Sequence, residues 1–254
     1  WRRQPLRYTP PLLRQLPEQA GIFTVGGGRQ IGKTTALKLF MEILLQKGAP
    51  PLGVLFLTGE LIDDHHALLR EVREFLNTAP RPAVLIIDEV TYIRDWDKGV
   101  KFLADAGLLA EVRLILTGSD LLLIQEARMR FPGRRGPADR VDFHVRPLSS
   151  GEFLNLWGQP PSAELLDQYL LHGGFLTAIN DYKRSGAITP ATLRTYSDWI
   201  RGDVLKRGRN ETHLRSVVQS ILTRQGSQVT WNSLARELTI DHPKTVAEYV
   251  DLLE

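Results

Sequence analysis

Residues Gly21 to Gln46 carry the pattern that most restricts this chain. An apolar run, Gly21-Ile22-Phe23-Thr24-Val25, is followed one residue later by Gly27-Gly28-Arg29-Gln30-Ile31-Gly32-Lys33-Thr34-Thr35, and helical spacing then continues to Gln46. The nine-residue stretch fits G-x-x-x-x-G-K-[ST]. The same letters occur by chance in other Gly-rich loops, but a strand before and a helix after are the context this pattern requires. Successive N–H groups of such a loop form a concave nest, and the following helix aims its N-terminal dipole at the same point. An anionic polyphosphate is favoured there. Glycines let the phosphates approach the main chain closely. Lys33 is expected to bring a mobile charge to the β- and γ-phosphates, and the Thr34 hydroxyl to ligate Mg²⁺.

Four more short apolar runs succeed the first: Val54-Leu55-Phe56-Leu57, Ala83-Val84-Leu85-Ile86-Ile87, Arg113-Leu114-Ile115-Leu116-Thr117 and Val141-Asp142-Phe143-His144-Val145. Helix-like segments separate them, which predicts an α/β fold with a parallel five-stranded sheet covered on both faces. After Pro147 helical spacing takes over. The expected organisation is a phosphate-loop core over 1–147, a helical lid over 148–210, and a partial winged-helix module over 211–254. A chain of 254 residues suits one large domain or two ordinary ones. It begins on Trp1 and stops inside an apparent helix, so both ends read as cut.

The third apolar run ends in Asp88-Glu89, and Asp88 lies 54 residues beyond Thr34 (88 − 34). An apolar strand ending in two carboxylates is the Walker B pattern. Asp88 is expected to hold Mg²⁺, and Glu89 to orient and polarise the water that attacks the γ-phosphate. The competing reading is a strand followed by a solvated acidic turn. With a water-activating group present, hydrolysis is expected as well as binding. In P-loop ATPases with a glutamate after that aspartate, the strand between the phosphate-loop and Walker B strands ends in a polar residue facing the γ-phosphate. Thr117 or Ser119 in Thr117-Gly118-Ser119-Asp120 is the candidate, against a plain polar turn. Arginines then cluster at Arg128, Arg130, Arg134 and Arg135, with Arg140 and Arg146 following. A guanidinium presented to a neighbouring subunit's γ-phosphate contributes ~10³–10⁵ in rate. Arg134, slightly ahead of Arg135, is the candidate, and a solvated basic loop or a phosphate-backbone contact is the alternative.

Taken together these residues resemble the prokaryotic AAA-type ATPases of the archaeal-ATPase and STAND-like branch, which join an N-terminal P-loop domain to a C-terminal domain of unknown function. Gly27 to Thr35 is similar to the family's G-P-R-Q-V-G-K-T-T, and Asp88-Glu89-Val90 with Asp95-Trp96 to its D-E-I-Q and D-W. Leu116-Thr117-Gly118-Ser119 matches L-T-G-S. Arg146-Pro147-Leu148-Ser149 with Glu152-Phe153 matches P-L-S-F-x-E-F, and Tyr169-Leu170-Leu171-His172-Gly173-Gly174-Phe175 matches Y-L-x-x-G-G-F-P. Gly28 stands where Pro is usual, Thr91 where Gln is usual, and Leu176 where the lid motif has Pro. The resemblance implies an ATPase with strand order 5-1-4-3-2 and prefers adenine over guanine. Tyr8 is a candidate for stacking on a base or is an ordinary surface aromatic.

From Thr212 onward the spacing predicts helices over Leu214–Thr223 and Trp231–Leu238, with a third starting at His242-Pro243. They resemble a helix-turn-helix of winged-helix type. On the third, Val246, Tyr249, Val250 and Leu253 should pack inward, leaving Lys244, Thr245, Glu248 and Asp251 outward. Glu248 and Asp251 repel a nucleic acid. Arg201, Lys206, Arg207 and Arg209, joined by Lys244, are candidate contacts to a DNA backbone without base reading. An ordinary charged face, with Asp203 and Glu211 interspersed, is the alternative. The totals, 32 Lys+Arg against 29 Asp+Glu, do not decide between them. No cysteine is present, which removes disulfide scaffolds, thiol catalysis and Cys-ligated metals. With no apolar run of membrane-spanning length, the expectation is a soluble, cytoplasmic protein. The leading reading is an Mg²⁺-dependent ATPase working on DNA as a homo-oligomer, and the alternative a nucleotide-gated switch whose helical tail binds a protein.

Overall fold

The computed structural model describes residues 3–118, 127, 129–206 and 208–253, which fall into two compact units divided between Ala187 and Ile188. In the first unit, β1 (Gly21–Gly26), β2 (Val54–Thr58), β3 (Ala83–Asp88), β4 (Val112–Gly118) and β5 (Asp142–His144) build one parallel sheet in the order β2-β3-β4-β1-β5. This is the expected order. Every strand boundary lies within one residue of the apolar run that predicted it.

Helices α1 (Leu12–Gln15) and α2 (Lys33–Gln46) cover one face, and α3 (His65–Thr78) and α4 (Trp96–Asp105) the other. Alternate strand residues enter separate cores. Phe23, Val25, Ile86, Ile115 and Phe143 meet Leu37 and Phe40 of α2. Ile22, Leu85, Ile87, Leu114 and Leu116 meet Leu68 and Val72 of α3 and Val100 and Leu103 of α4. Burial on both faces is why these strands read as unbroken apolar runs rather than as alternating ones. Capping sets where α3 begins: the Asp64 carboxylate accepts from the N–H groups of His66 and Ala67, both at 3.0 Å.

Helices α5 (Ser150–Trp157), α6 (Ala163–His172) and α7 (Leu176–Ser185) complete this unit around Leu148, Phe153, Leu165 and Ile179. A capping box between Ser149 and Glu152 starts α5. The turn from α6 to α7 lies against the chain leaving β5. Leu148 N–H donates to the Gly174 carbonyl at 2.9 Å, and a Cβ on Gly174 would stand 2.1 Å from the Leu148 carbonyl oxygen. The glycine of the G-G-F motif is therefore a contact requirement. The N-terminal segment docks on the same helices. Leu6 N–H donates to Asn180 at 2.8 Å, and the Tyr8 hydroxyl donates to Glu152 at 2.5 Å. Burial, then the bond to Glu152 and its charge, pushes the Tyr8 phenol pKa up. Tyr8 thus anchors the N-terminal segment to α5.

The second unit contains α8 (Pro190–Lys206), α9 (Glu211–Thr223), α10 (Trp231–Glu237) and α11 (Pro243–Leu253). Val204, Leu214, Val217, Leu234, Val246 and Tyr249 form its core. Val246 and Tyr249 are buried as their helical spacing predicts. The Tyr249 hydroxyl accepts from the Asn210 N–H at 2.8 Å and donates to the Asn210 carbonyl at 3.0 Å, fastening α11 to the start of α9. Among the described residues no helix is long and apolar enough to cross a membrane.

Candidate functional site

Because all strands run parallel, the last residues of β1, β3 and β4 emerge at one edge of the sheet. Ile87 pairs with Leu116, and Gly26 with Gly118, which sets Asp88 and Thr117 beside the loop that follows β1. That loop folds as its glycines allow. Gly27 has φ +148, and a Cβ there would meet the Val145 carbonyl oxygen at 2.4 Å. Gly32, at φ +94, turns the chain into α2, so the helix begins at Lys33. Gln30 also takes positive φ, at 53°. At Gly28, by contrast, a Cβ would meet no atom within 4 Å. Its departure from the family's Pro thus disturbs no packing.

The side chains expected to meet here do so. Lys33 is only 5% exposed, and its ammonium donates to the carbonyls of Gly27 at 2.8 Å and Gly28 at 2.7 Å, with Glu89 Oε1 at 3.8 Å. The Thr34 hydroxyl donates to Asp88 Oδ2 at 2.6 Å. Asp88 Oδ1 accepts from the Thr117 hydroxyl at 2.5 Å, and that same hydroxyl accepts the Glu89 N–H at 2.9 Å. Arg29, Ile31, Thr34 and Thr35 are half-buried or buried along the loop and first turn of α2, and Gln30 is exposed. The site therefore sets one ammonium, two hydroxyls and two carboxylates around a nest of main-chain N–H groups. Such a set suits an anion accompanied by a hard cation.

Of the two candidates on the fourth run, Thr117 points to Asp88. Ser119 lies outside the described residues, as do Arg128 and Arg207. On the neighbouring strand, the end of β5 pairs His144 with Gly26 at the start of the loop, and Arg146 follows two residues later. The His144 pKa is lowered by burial first, then by the charges of Arg146 and Lys33. Leu176, at the start of α7, lies 3.9 Å from where a Gly32 Cβ would stand, so the position that is usually Pro still touches the loop.

The two adjacent arginines part company. Ile22 N–H donates to the Arg135 carbonyl, and Gly136 abuts Gly21, which places this pair at the start of β1, the edge opposite the phosphate loop. The Arg135 guanidinium is buried and donates to Asp142 Oδ1 at 2.6 Å, Val141 O at 3.0 Å, Ile22 O at 3.2 Å and Thr24 Oγ1 at 3.2 Å. It ties β5 to β1. Arg134 is more exposed and pairs with Asp105.

Among the candidate nucleic-acid contacts, Arg201 pairs with Glu211 at 2.9 Å and Arg209 with Glu248 at 2.6 Å. Lys244 is exposed in the first turn of α11. The Lys206 side chain lies outside the described residues.

Sequence reasoning missed Gly59. A Cβ there would stand 2.2 Å from the Glu89 carbonyl oxygen, yet a lone glycine after an apolar run reads only as a turn.

The family model described as AAA domain matches residues 19–154, more than half of the chain, and one described as a domain of unknown function matches residues 163–254. A curated relative from Haemophilus influenzae, described as an uncharacterized protein, is 25% identical over 259 residues, covering 95% of this chain and 62% of the relative. The chain thus spans less than two thirds of that relative's length. The Walker-type ATPase PABY2304 of Pyrococcus abyssi is similar with a TM-score of 0.60 at 14% identity, over 94% of this chain and 87% of that one. The Aeropyrum pernix ORC2 protein, in ADPNP-ADP complexes, gives a TM-score of 0.57 at 14% identity, over 97% of this chain and 87% of that one. At such identities the likeness is one of fold. With its phosphate loop and paired carboxylates inside the matched segment, the chain belongs to the AAA domain family, and its parallel-sheet unit is a P-loop ATPase domain.

Proposed function

We propose that this chain binds ATP with Mg²⁺ and hydrolyses it, and that turnover moves the helices after β5 and the C-terminal module on DNA. The observation that carries the nucleotide half is the Thr34–Asp88 pair, a hydroxyl and a carboxylate 2.6 Å apart at the foot of the Lys33 loop. Both donate oxygen only, and among the described residues no group of three His, Asp or Glu side chains could hold a metal unaided. Mg²⁺ fits such a site, since it is held by one or two carboxylates together with substrate phosphates and water. When bound, it neutralises charge on the phosphate oxygens. Lys33 steadies the β- and γ-phosphates, the main-chain N–H groups of Gly27 to Thr35 cradle them, and Glu89 accepts a proton from the attacking water. Adenine is taken over guanine by family and by the ADPNP-ADP complexes of the ORC2 neighbour. A Glu89→Gln variant should keep ATP and stall before hydrolysis; a wild-type turnover rate would remove Glu89 from the mechanism.

DNA is the finer part of the reading. Residues 1–147 serve as the motor core, 148–210 as a lid and 211–254 as a winged-helix-like module, with Arg201, Lys206, Arg207, Arg209 and Lys244 facing phosphates. In an assembly of identical chains Arg134 reaches the site of a neighbour, because its own lies at the other edge of the sheet. Turnover measured with duplex, single-stranded and branched DNA over a range of salt tests this. Stimulation that weakens as salt rises supports it. The Arg201–Glu211 and Arg209–Glu248 pairs favour a second reading, a nucleotide-gated switch whose tail binds a protein. Turnover and binding indifferent to every DNA would favour that one.

A further inference from the structure

Thr117, the last residue but one of the buried strand β4, is 0% exposed and bonds to both carboxylate-bearing residues at the end of β3. A hydroxyl has one proton to give. Here that proton goes to Asp88 Oδ1, and the oxygen accepts the Glu89 N–H. While these bonds hold, Thr117 has no donor left for a phosphate oxygen or a water. Asp88 is fixed at both oxygens: Thr117 holds Oδ1 and Thr34 holds Oδ2, which sets the plane of the carboxylate.

The next residue is held as firmly. Glu89 adopts the left-handed conformation, φ 52 and ψ 48, which a residue with a side chain takes only at a cost of roughly 1–2 kcal/mol. Two features sustain it. One is the N–H bond to Thr117. The other is Gly59, whose missing side chain leaves room for the Glu89 carbonyl; a Cβ there would meet that oxygen at 2.2 Å and the Asp88 carbonyl oxygen at 3.3 Å. The pairing of Thr58 with Asp88 brings Gly59 to this place.

We infer that Thr117 and Gly59 form a clamp, drawn from the strands on either side of β3, that positions Asp88 and Glu89 for hydrolysis without touching substrate. Thr117 is a positioning residue in this account and does not sense the γ-phosphate. The inference rests on the proposed roles of Asp88 and Glu89. Its two halves act on different atoms. Thr117 governs the cation-holding carboxylate as well as the Glu89 backbone, whereas Gly59 governs the Glu89 backbone.

Steady-state hydrolysis and ATP and ADP affinities, measured for Thr117→Val, Thr117→Ser, Gly59→Ala and Glu89→Gln, test it. Valine keeps the branched shape and removes the hydroxyl. Thr117→Val should lower kcat by roughly tenfold to a hundredfold, the loss typical of a reacting group displaced by about an ångström. Its half-saturating Mg²⁺ concentration should rise severalfold while KM for ATP stays near wild type, and Thr117→Ser should recover most of the rate. Gly59→Ala should lower kcat comparably at an unchanged Mg²⁺ requirement. If Thr117→Val does not fold, Gly59→Ala alone decides. Wild-type kcat in Thr117→Val or Gly59→Ala while Glu89→Gln stalls overturns the clamp and leaves the assignment of Glu89 standing. Wild-type turnover in Glu89→Gln overturns that assignment and the clamp with it. Loss of ATP affinity in Thr117→Val with ADP affinity and kcat intact would make Thr117 a γ-phosphate contact, which also overturns the clamp.

Discussion

Replacing Arg135 by methionine should unfold the edge of the sheet, whereas replacing its neighbour Arg134 should not. The Arg135 side chain is 10% exposed and that of its partner Asp142 14%, and the guanidinium also donates to two main-chain carbonyls and to Thr24. Methionine keeps the length and apolar stem of arginine but leaves a buried carboxylate without its cation. Breaking one partner of a buried pair costs about 3–5 kcal/mol. The Thr24 hydroxyl still donates to Asp142 at 2.6 Å, which favours the lower part of that range. With a urea slope of roughly 2–3 kcal/mol per molar, the midpoint should fall by about 1–2 M. Arg134→Ala removes an exposed pair with Asp105 and should leave the midpoint almost unchanged. Urea unfolding followed by tryptophan fluorescence reads the fold, and amide exchange along β5 shows where it opens. A midpoint for Arg135→Met that matches wild type, or one for Arg134→Ala that falls as far, would refute the reasoning.

Gly174→Ala should detach the α6–α7 turn from the chain leaving β5, because its Cβ would meet Leu148 backbone at 2.1 Å; chymotryptic cleavage after Tyr169 or Phe175 should accelerate, and unchanged protection would count against the contact. His172 is buried among Phe153, Tyr169 and Tyr182, donates to the Gly173 carbonyl, and has an Nε2 with no hydrogen-bond partner among the described residues. Burial lowers its pKa, so the unfolded chain takes up the proton first as pH falls. Stability should be greatest above the ordinary histidine value and decline as pH drops through it toward the depressed one, and His172→Phe should lessen that decline; an equal decline in both proteins would show that His172 is not responsible. If Arg134 acts on a neighbouring copy, mixing Arg134→Ala with Lys33→Ala chains should restore part of the turnover that each lacks, and no recovery at any ratio would rule the neighbour out.

Much of the fold is legible in the sequence because a strand buried on both faces needs an apolar residue at nearly every position. Val84 and Ile86 serve one core while Leu85 and Ile87 serve the other, and the run announces itself. The phosphate loop is legible for a related reason, since Gly27, Gly32 and Lys33 are demanded by main-chain geometry and charge within a few residues. What stays hidden depends on partners far along the chain. Arg134 and Arg135 are the same residue type, and only the place of Asp142 beside Thr24 of β1, within reach of the Arg135 guanidinium, makes one structural. Arg201 and Arg209 sit close to Glu211 in the sequence, but that Glu211 pairs with Arg201 and the distant Glu248 with Arg209 is set by how the helices pack. Tyr8 and Leu6 give no sign that Glu152 and Asn180 hold them. Gly59 matters only through its approach to Glu89, which no local pattern encodes.

Every role proposed for this site depends on the grip of the Gly27-to-Thr35 loop on a nucleoside triphosphate. Equilibrium titration of the wild-type chain and of Lys33→Ala with ATP and Mg²⁺, with circular dichroism to verify the fold, tests it most directly. Saturable binding by the wild type and an affinity at least about tenfold weaker in the variant is the expected result, about 1.4 kcal/mol for one lost charge-assisted contact. Undiminished affinity in a folded Lys33→Ala, or no binding by the wild type, would contradict the account.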